Sequence, residues 1–434
     1  MLATKWVTKT GNAQRKLGNL FYVSVLGGLL IGSTAVNAET DAEHMKNLEN
    51  KLDAMQNELS QMTSGMAHHS TSGAGLPLHG FSDVGFATNS GSLADNPKGF
   101  FVGSLSFYLA PNFGDRVKAL IEPNIEVTPA GDIAVDLERV QFGYSFSDTA
   151  TLWGGRIHTP YGYWNTGFHH GGQMQTSVMR PRFLDFEDKG GILPAHMVGL
   201  WGAGKIKAGT GKVTYDVYAG NGPTIAMGAP DPAVSATAQT LGTLTIGQAG
   251  DSNHQAMTGF NVGYEFSGNL DGLKLGAHGL QGDVDDNSDA SLTSLPSKLA
   301  NNKTELSMAG GSIVYLANDW EVLSEYYGFN NNNKSGSNTG THKSWAAYAQ
   351  DGKSFDDWTP YIRLEKAVLS QSDNYFASQA SGQSYARQSL GVRYNLNQNA
   401  ALKFELLHSK FEADVGAKSY KNFNSVLAQY AIGF

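Results

Sequence analysis

The sequence predicts an all-β transmembrane barrel of about 16 antiparallel strands, with a short coiled-coil helix at its N-terminal end. Three observations carry this prediction. From Leu78 to Phe434 apolar and polar residues alternate with a period of two, the period of a strand with two unlike faces. The connections between alternating segments are by turns short and long, as asymmetric insertion into a membrane produces. The composition also fits: 16% charged residues, 52 Gly, 18 Tyr, 21 Phe and no Cys suit many short strands, Gly-marked turns and aromatic girdles.

Ahead of the barrel, Lys5, Lys9, Arg15 and Lys16 form a basic region, Leu20 to Ile31 an apolar core, and Val36-Asn37-Ala38 a cleavage site. Residues 1–38 therefore read as a secretory signal peptide cut after Ala38. The alternative, an uncleaved anchor helix, asks for ~20 apolar residues, and this core falls well short of that. Cleavage removes four basic residues and no acid, which takes the formal charge from -8 to -12. An exported acidic chain with no basic cluster is a poor partner for nucleic acid. The absence of Cys excludes disulfides, thiolate catalysis and thiolate metal sites.

Residues 39–62 carry Met45, Leu48, Leu52, Met55, Leu59 and Met62 at alternating spacings of 3 and 4, a heptad seam. This segment is expected to be a periplasmic coiled-coil stalk, the alternative being one amphipathic helix lying on its own domain. About three heptads are marginal alone, so the stalk would need a tethered assembly. Residues 63–77, rich in Ser and Gly around His68-His69, read as a flexible linker.

Strands are expected near 78–89, 99–110, 117–127, 134–146, 150–158, 196–206, 212–219, 256–266, 272–281, 304–317, 320–330, 343–351, 358–369, 384–396, 400–411 and 420–434. Leu402, Phe404 and Leu406 alternate with Lys403 and Glu405; Val140, Phe142, Tyr144 and Phe146 oppose Arg139, Gln141 and Gly143. A soluble sandwich would alternate as well, so the connections decide. Asn112 to Asp115, Ser147 to Thr149, Ser267 to Asp271, Asn318-Asp319 and Asn397 to Asn399 are tight turns, while Gly220 to Gln255, Asp283 to Lys303, Asn331 to His342 and Ser370 to Gln383 are long.

The stretch Thr159 to Pro194 breaks the alternation yet is dense in aromatics, His, Arg and acids. An ordered loop of that length in a compact protein is usually functional. It is expected to fold into the bore and narrow it.

The signal peptide, the short stalk, the alternating Gly- and Tyr-rich body and the last strand, Val426 to Phe434, together resemble the trimeric outer-membrane porins of Gram-negative bacteria that carry a periplasmic N-terminal stalk. The resemblance covers nearly the whole mature chain. It implies a homotrimer in outer-membrane lipid, recognition of the C-terminal Phe434 by the barrel-assembly machinery, and a third extracellular loop forming the constriction, which is loop 159–194 in this chain. General-diffusion porins set acids on that loop against basic wall residues, whereas here Arg180 and Arg182 are mixed with Asp185, Glu187 and Asp188, and His169 and His170 are added.

Candidate constriction and selectivity residues are thus Arg180, Arg182, Asp185, Glu187, His169 and His170. Candidate lumen-wall residues are Arg139, Arg156, Arg363, Arg387, Arg393, Lys118 and Lys403, with Glu122, Glu126, Glu321, Glu325, Glu365 and Glu405. Rings of fixed charge select ions, though such residues also pair across strands and stiffen the wall. Arg180 and Arg182 flank Pro181 and either face one anion or clamp Asp185 or Glu187. His169-His170 suits a divalent ion or, more simply, packs the loop on the wall. Asp283, Asp285, Asn287 and Asp289 imitate a calcium loop, but Ser288 stands where Gly is wanted, so a solvated surface loop is the better reading. No Gly-x-Ser-x-Gly, His-Glu-x-x-His or Walker sequence occurs. The expected function is passive diffusion of small hydrophilic solutes or ions, without enzyme activity, cofactor or resident metal. The alternatives are a channel specific for anions or divalent metal ions, then a barrel hydrolase or a closed structural or adhesive barrel.

Overall fold

The computed structural model describes residues 78–89, 98–111, 113–127, 133–168, 172–186, 190–226, 243–245, 255–285, 303–335, 338–377, 379, 381–412 and 420–434. The signal peptide, stalk and linker read from the sequence lie outside the described residues, as do His169, His170 and Glu187.

The strands are β1 (Leu78–Asn89), β2 (Gly99–Leu109), β3 (Val117–Val127), β4 (Ile133–Ser147), β5 (Ala150–His158), β6 (His196–Ala208), β7 (Gly211–Asn221), β8 (Thr224–Ala226) and β9 (Thr243–Thr245). They continue as β10 (Ala256–Glu265), β11 (Leu273–Asp285), β12 (Lys303–Ala317), β13 (Trp320–Asn333), β14 (Gly340–Lys353), β15 (Trp358–Val368), β16 (Tyr385–Asn397), β17 (Ala400–Glu412) and β18 (Tyr420–Gly433). All but β8 and β9 form one closed antiparallel barrel in which each strand pairs with its neighbours in sequence and β18 returns to β1. These are the sixteen strands that the alternation predicts. The pair β8–β9 is a small separate sheet inside the long connection between β7 and β10. Three residues per strand are too few to show a period, and the sequence gives no sign of it.

Along β17 the alternation reads directly as two environments. Leu402, Phe404 and Leu406 are exposed at 41–45%, while Lys403 and Glu405 between them are buried. The same holds for Ile362 against Arg363 and for Leu390 against Ser389. Ionic residues point into the barrel and aliphatic ones out, the reverse of a water-soluble barrel. A continuous outward apolar band is stable only against lipid.

The turns at one rim are tight. Asn318 and Asp319 link β12 to β13 with φ of 53° and 60°, the left-handed pair that a two-residue hairpin demands and that Asn and Asp tolerate. Register shifts occur at Ser82/Val84 of β1 and at Glu122/Pro123 of β3, where Pro123 has no N–H to give the ladder.

Candidate pore and its inward loop

The segment 159–194 leaves β5 and returns to β6, and its two ends are tied where Thr159 N–H donates to the Ala195 carbonyl at 2.8 Å. Its first turn passes through Gly162, at φ +63°, into a single helical turn, α1 (Trp164–Gly167). Glu325 of β13 receives that turn. Its Oε2 accepts Tyr163 N–H at 2.7 Å and the Tyr327 hydroxyl at 2.8 Å, and its Oε1 accepts Trp164 N–H and the Tyr348 hydroxyl, each at 2.8 Å. Four donors fill the lone-pair sites of a carboxylate, which is how a fully buried charge becomes tolerable.

The rest of the loop is held the same way. Glu405 accepts Val178 N–H at 2.7 Å and Met179 N–H at 3.1 Å, and Glu365 accepts Arg182 N–H at 2.8 Å. Glu321 accepts the Thr176 hydroxyl at 2.8 Å. Arg363 donates to the carbonyls of Met179 at 2.9 Å and Arg180 at 3.3 Å. Arg393 donates to the carbonyls of Gln173 and Gln175, and Lys403 to those of Gly172 and Ser177. Carboxylates take the loop's N–H groups and cations take its carbonyls, so wall residues do for this irregular backbone what a ladder does for a strand. The array is also neutralised within itself: Arg363 meets Glu365 at 2.9 Å and Glu405 at 3.6 Å, with all three side chains fully buried. Arg387 lies deep in the same wall and donates to Ser409 Oγ at 3.0 Å.

Apolar packing completes the attachment. Tyr161, Trp164, Phe183, Leu184 and Ile192 from the loop are at most 1% exposed and share one cluster with Tyr327, Tyr348, Tyr375 and Phe376. Tyr375 and Phe376 come from another short helical turn, α2 (Asn374–Ala377), and the Tyr375 hydroxyl donates to the Ile192 carbonyl at 2.7 Å.

Arg180 and Arg182 are both inside the barrel and both buried. Arg180 donates to the carbonyls of Leu184 at 3.1 Å and Phe168 at 3.2 Å, with its guanidinium 4.2 Å from the Phe186 ring centre. Arg182 stacks its guanidinium 4.8 Å from the Phe411 ring centre. Asp185 accepts Phe186 N–H at 3.0 Å. The Arg180 and Asp185 contacts brace the loop itself, and the Arg182 stack ties it to β17.

On the other wall, Arg139 meets Glu122 at 2.7 Å, and Arg156 donates to the Glu138 carbonyl at 3.1 Å. Sequence reasoning missed Glu138, His158 and His196. Glu138 Oε2 lies 2.8 Å from His196 Nε2, which lies 2.9 Å from His158 Nε2. Strand alternation assigns Arg139 to the lumen and so sends Glu138 outward, but the bulge opposite Pro123 buries both. The proline at 123 was the available signal. Asp283, expected at the start of a solvated surface loop, lies instead within β11 and is taken by Lys303 at 2.8 Å and Lys334 at 3.0 Å.

No known family profile and no curated protein sequence matches the chain. Among solved structures, the anion-selective porin from Comamonas acidovorans is similar with a TM-score of 0.52 at 12% identity, over 82% of this chain and 98% of that one. The outer membrane channel DcaP of Acinetobacter baumannii is similar with a TM-score of 0.50 at 10% identity, over 82% of this chain and 96% of that one. The likeness is one of fold: this chain is a closed sixteen-stranded barrel of the architecture found among outer-membrane porins.

Proposed function

We propose that the chain is a porin of the bacterial outer membrane, passing small hydrophilic solutes or ions down their gradient through a charged lumen narrowed by loop 159–194. The observation that carries this reading is the row of buried wall charges, Glu325, Glu365, Arg363 and Glu405, spent on the backbone of that loop. A loop bolted along β13 to β17 occupies one side of the bore, and in this reading solutes pass along the other. His169, His170 and Glu187 join Arg180, Arg182 and Asp185 in this proposed constriction.

In this reading residues 1–38 direct export and are removed, residues 39–62 form the periplasmic stalk, and 63–77 link it to the barrel. Three copies associate through strands whose outer faces expose Phe100, Ile133 and Val135 at 69–88%. The exposed C-terminal Phe434, whose backbone pairs with Gly80 at 2.8 and 2.9 Å, is the residue offered to the assembly machinery. Reconstitution of the purified protein in planar bilayers tests the function. Stepwise conductance that grows linearly with salt is expected, and a protein that inserts without conducting would leave the closed structural barrel in its place.

A further inference from the structure

The end of the β6–β7 hairpin holds an arrangement that stability alone does not explain. Lys207 and Lys212 are direct register partners, one rung from the turn at Gly209-Thr210. Like charges placed opposite each other across two strands destabilise the pair. Both residues belong to the inner face. Trp201 Nε1 donates to Asp216 at 3.0 Å, and Asn261 Nδ2 donates both to Asp216 and to the Gly162 carbonyl inside the barrel. Counting by twos from Trp201 reaches Lys205 and Lys207, and from Asp216 reaches Lys212. Leu200, Ile206 and Val217, on the opposite parity, are exposed on the outer surface.

One acid stands beside this pair: Glu265, the register partner of Lys212 on β10, which it shares with two other lysines. Glu265 is held by Lys205 at 2.8 Å and by Lys274 at 3.6 Å. Among the described residues, Lys207 and Lys212 form no ion pair. They line an open cavity of about 380 Å³ together with Asp148, Lys205, Thr210 and Gly211. That volume suits a small solute rather than a single water. Three lysines against one carboxylate line the cavity, an excess of positive charge inside a chain whose net charge is -8.

We propose that this short-turn mouth of the barrel is a capture site for small, multiply charged oxyanions, bearing phosphate or carboxylate groups, with Lys207 and Lys212 as its two arms. The proposal rests on the channel reading for its purpose, but the binding itself does not require conduction. Lysine ammoniums are mobile, strongly hydrated point charges, suited to brief capture and release rather than to a rigid fork. A cationic mouth with low-dielectric walls raises the local concentration of such anions.

The test uses the full-length protein and the double variant Lys207→Gln/Lys212→Gln, with inorganic phosphate and succinate as separate probes. Removing two charges should lower the chloride-to-potassium permeability ratio in a salt gradient by about two- to fivefold. It should also abolish the reduction of conductance by phosphate added at the short-turn side. Broadening of the phosphate ³¹P line by detergent-solubilised wild type, lost in the variant, reports the site without any current. Phosphate alone, succinate alone or both acting on wild type identifies the group recognised. Equal permeability ratios and equal line widths in the two proteins would overturn the proposal, whereas binding without current would remove the channel and leave the site. The substitution relieves the repulsion between Lys207 and Lys212 and removes the attraction of Lys212 to Glu265 across β7 and β10, so the variant should fold with a stability near that of wild type. The single variant Lys207→Glu, which supplies a partner for Lys212, gives a second protein in which phosphate binding must be lost.

Discussion

Glu325 Oε2 accepts the backbone N–H of Tyr163 at 2.7 Å, so one carboxylate of β13 fixes the entry of a loop 162 residues earlier in the chain. Truncating it orphans two buried N–H groups and two hydroxyls. Glu325→Ala should therefore cost about 3 kcal/mol or more, read as a lowered denaturant midpoint, and should add open-state noise to single-channel currents. Quiet wild-type currents in this variant would mean that the loop does not depend on Glu325.

Gly162 is the neighbouring constraint. A Cβ there would lie 2.0 Å from the Tyr327 hydroxyl and 2.3 Å from Glu325 Oε2, and the backbone sits at φ +63°. Left-handed geometry alone costs a non-glycine residue roughly 1 kcal/mol. Gly162→Ala should exceed that figure because it also displaces Glu325, and combining it with Glu325→Ala should cost less than the sum of the two. Additive losses in a double-mutant cycle would refute the coupling.

Arg363 is fully buried and donates to Glu365, to Gln350 at 3.2 Å and to two loop carbonyls. Replacing it by Met leaves Glu365 and Glu405 charged without their shared cation, a change that costs about 3–5 kcal/mol. Arg363→Lys keeps the charge but loses the planar fork, so it should fall between wild type and Met. Thermal unfolding of the three proteins gives the order; a Lys variant no better than Met would show that shape rather than charge is decisive.

Asp373, in the connection between β15 and β16, accepts Asn331 Nδ2 at 2.9 Å and Tyr375 N–H at 3.0 Å. Burial pushes its carboxyl up to about 6, against the pull of those hydrogen bonds and of nearby His342. The folded state thus binds the proton more tightly than the unfolded one. The stability that this proton confers is complete below about pH 4 and is lost as pH rises through about 6. Relative to Asp373→Asn, which cannot titrate, wild type should lose on the order of 3 kcal/mol between those limits. A wild-type-minus-variant difference that stays flat from pH 4 to 7 would contradict this.

Much of the barrel was legible because a lipid-facing strand writes its environment into every second residue. Lys403 and Glu405 between Leu402, Phe404 and Leu406 suffice to orient β17. The site was less legible. Parity identified Arg363, Arg393, Lys403, Glu365 and Glu405 as inward, but it carries no information on what covers them, and the loop backbone that they bind has no side-chain pattern. Glu138 was lost because a one-residue bulge inverts parity locally. The short pair β8–β9 left no periodic trace at all.

The pairing of β1 with β18 carries a consequence for how this molecule is made. Nine register pairs, from Phe81 with Gly433 to Asn89 with Ser425, and the bond from Gln429 Nε2 to Asp83 join segments 346 residues apart. Bringing ends that distant together in a free chain costs on the order of 5 kcal/mol of entropy before any contact repays it. The outer edge of the first strand must therefore stay unsatisfied until the last strand has been made and can reach it, which sets the order in which the cylinder can close.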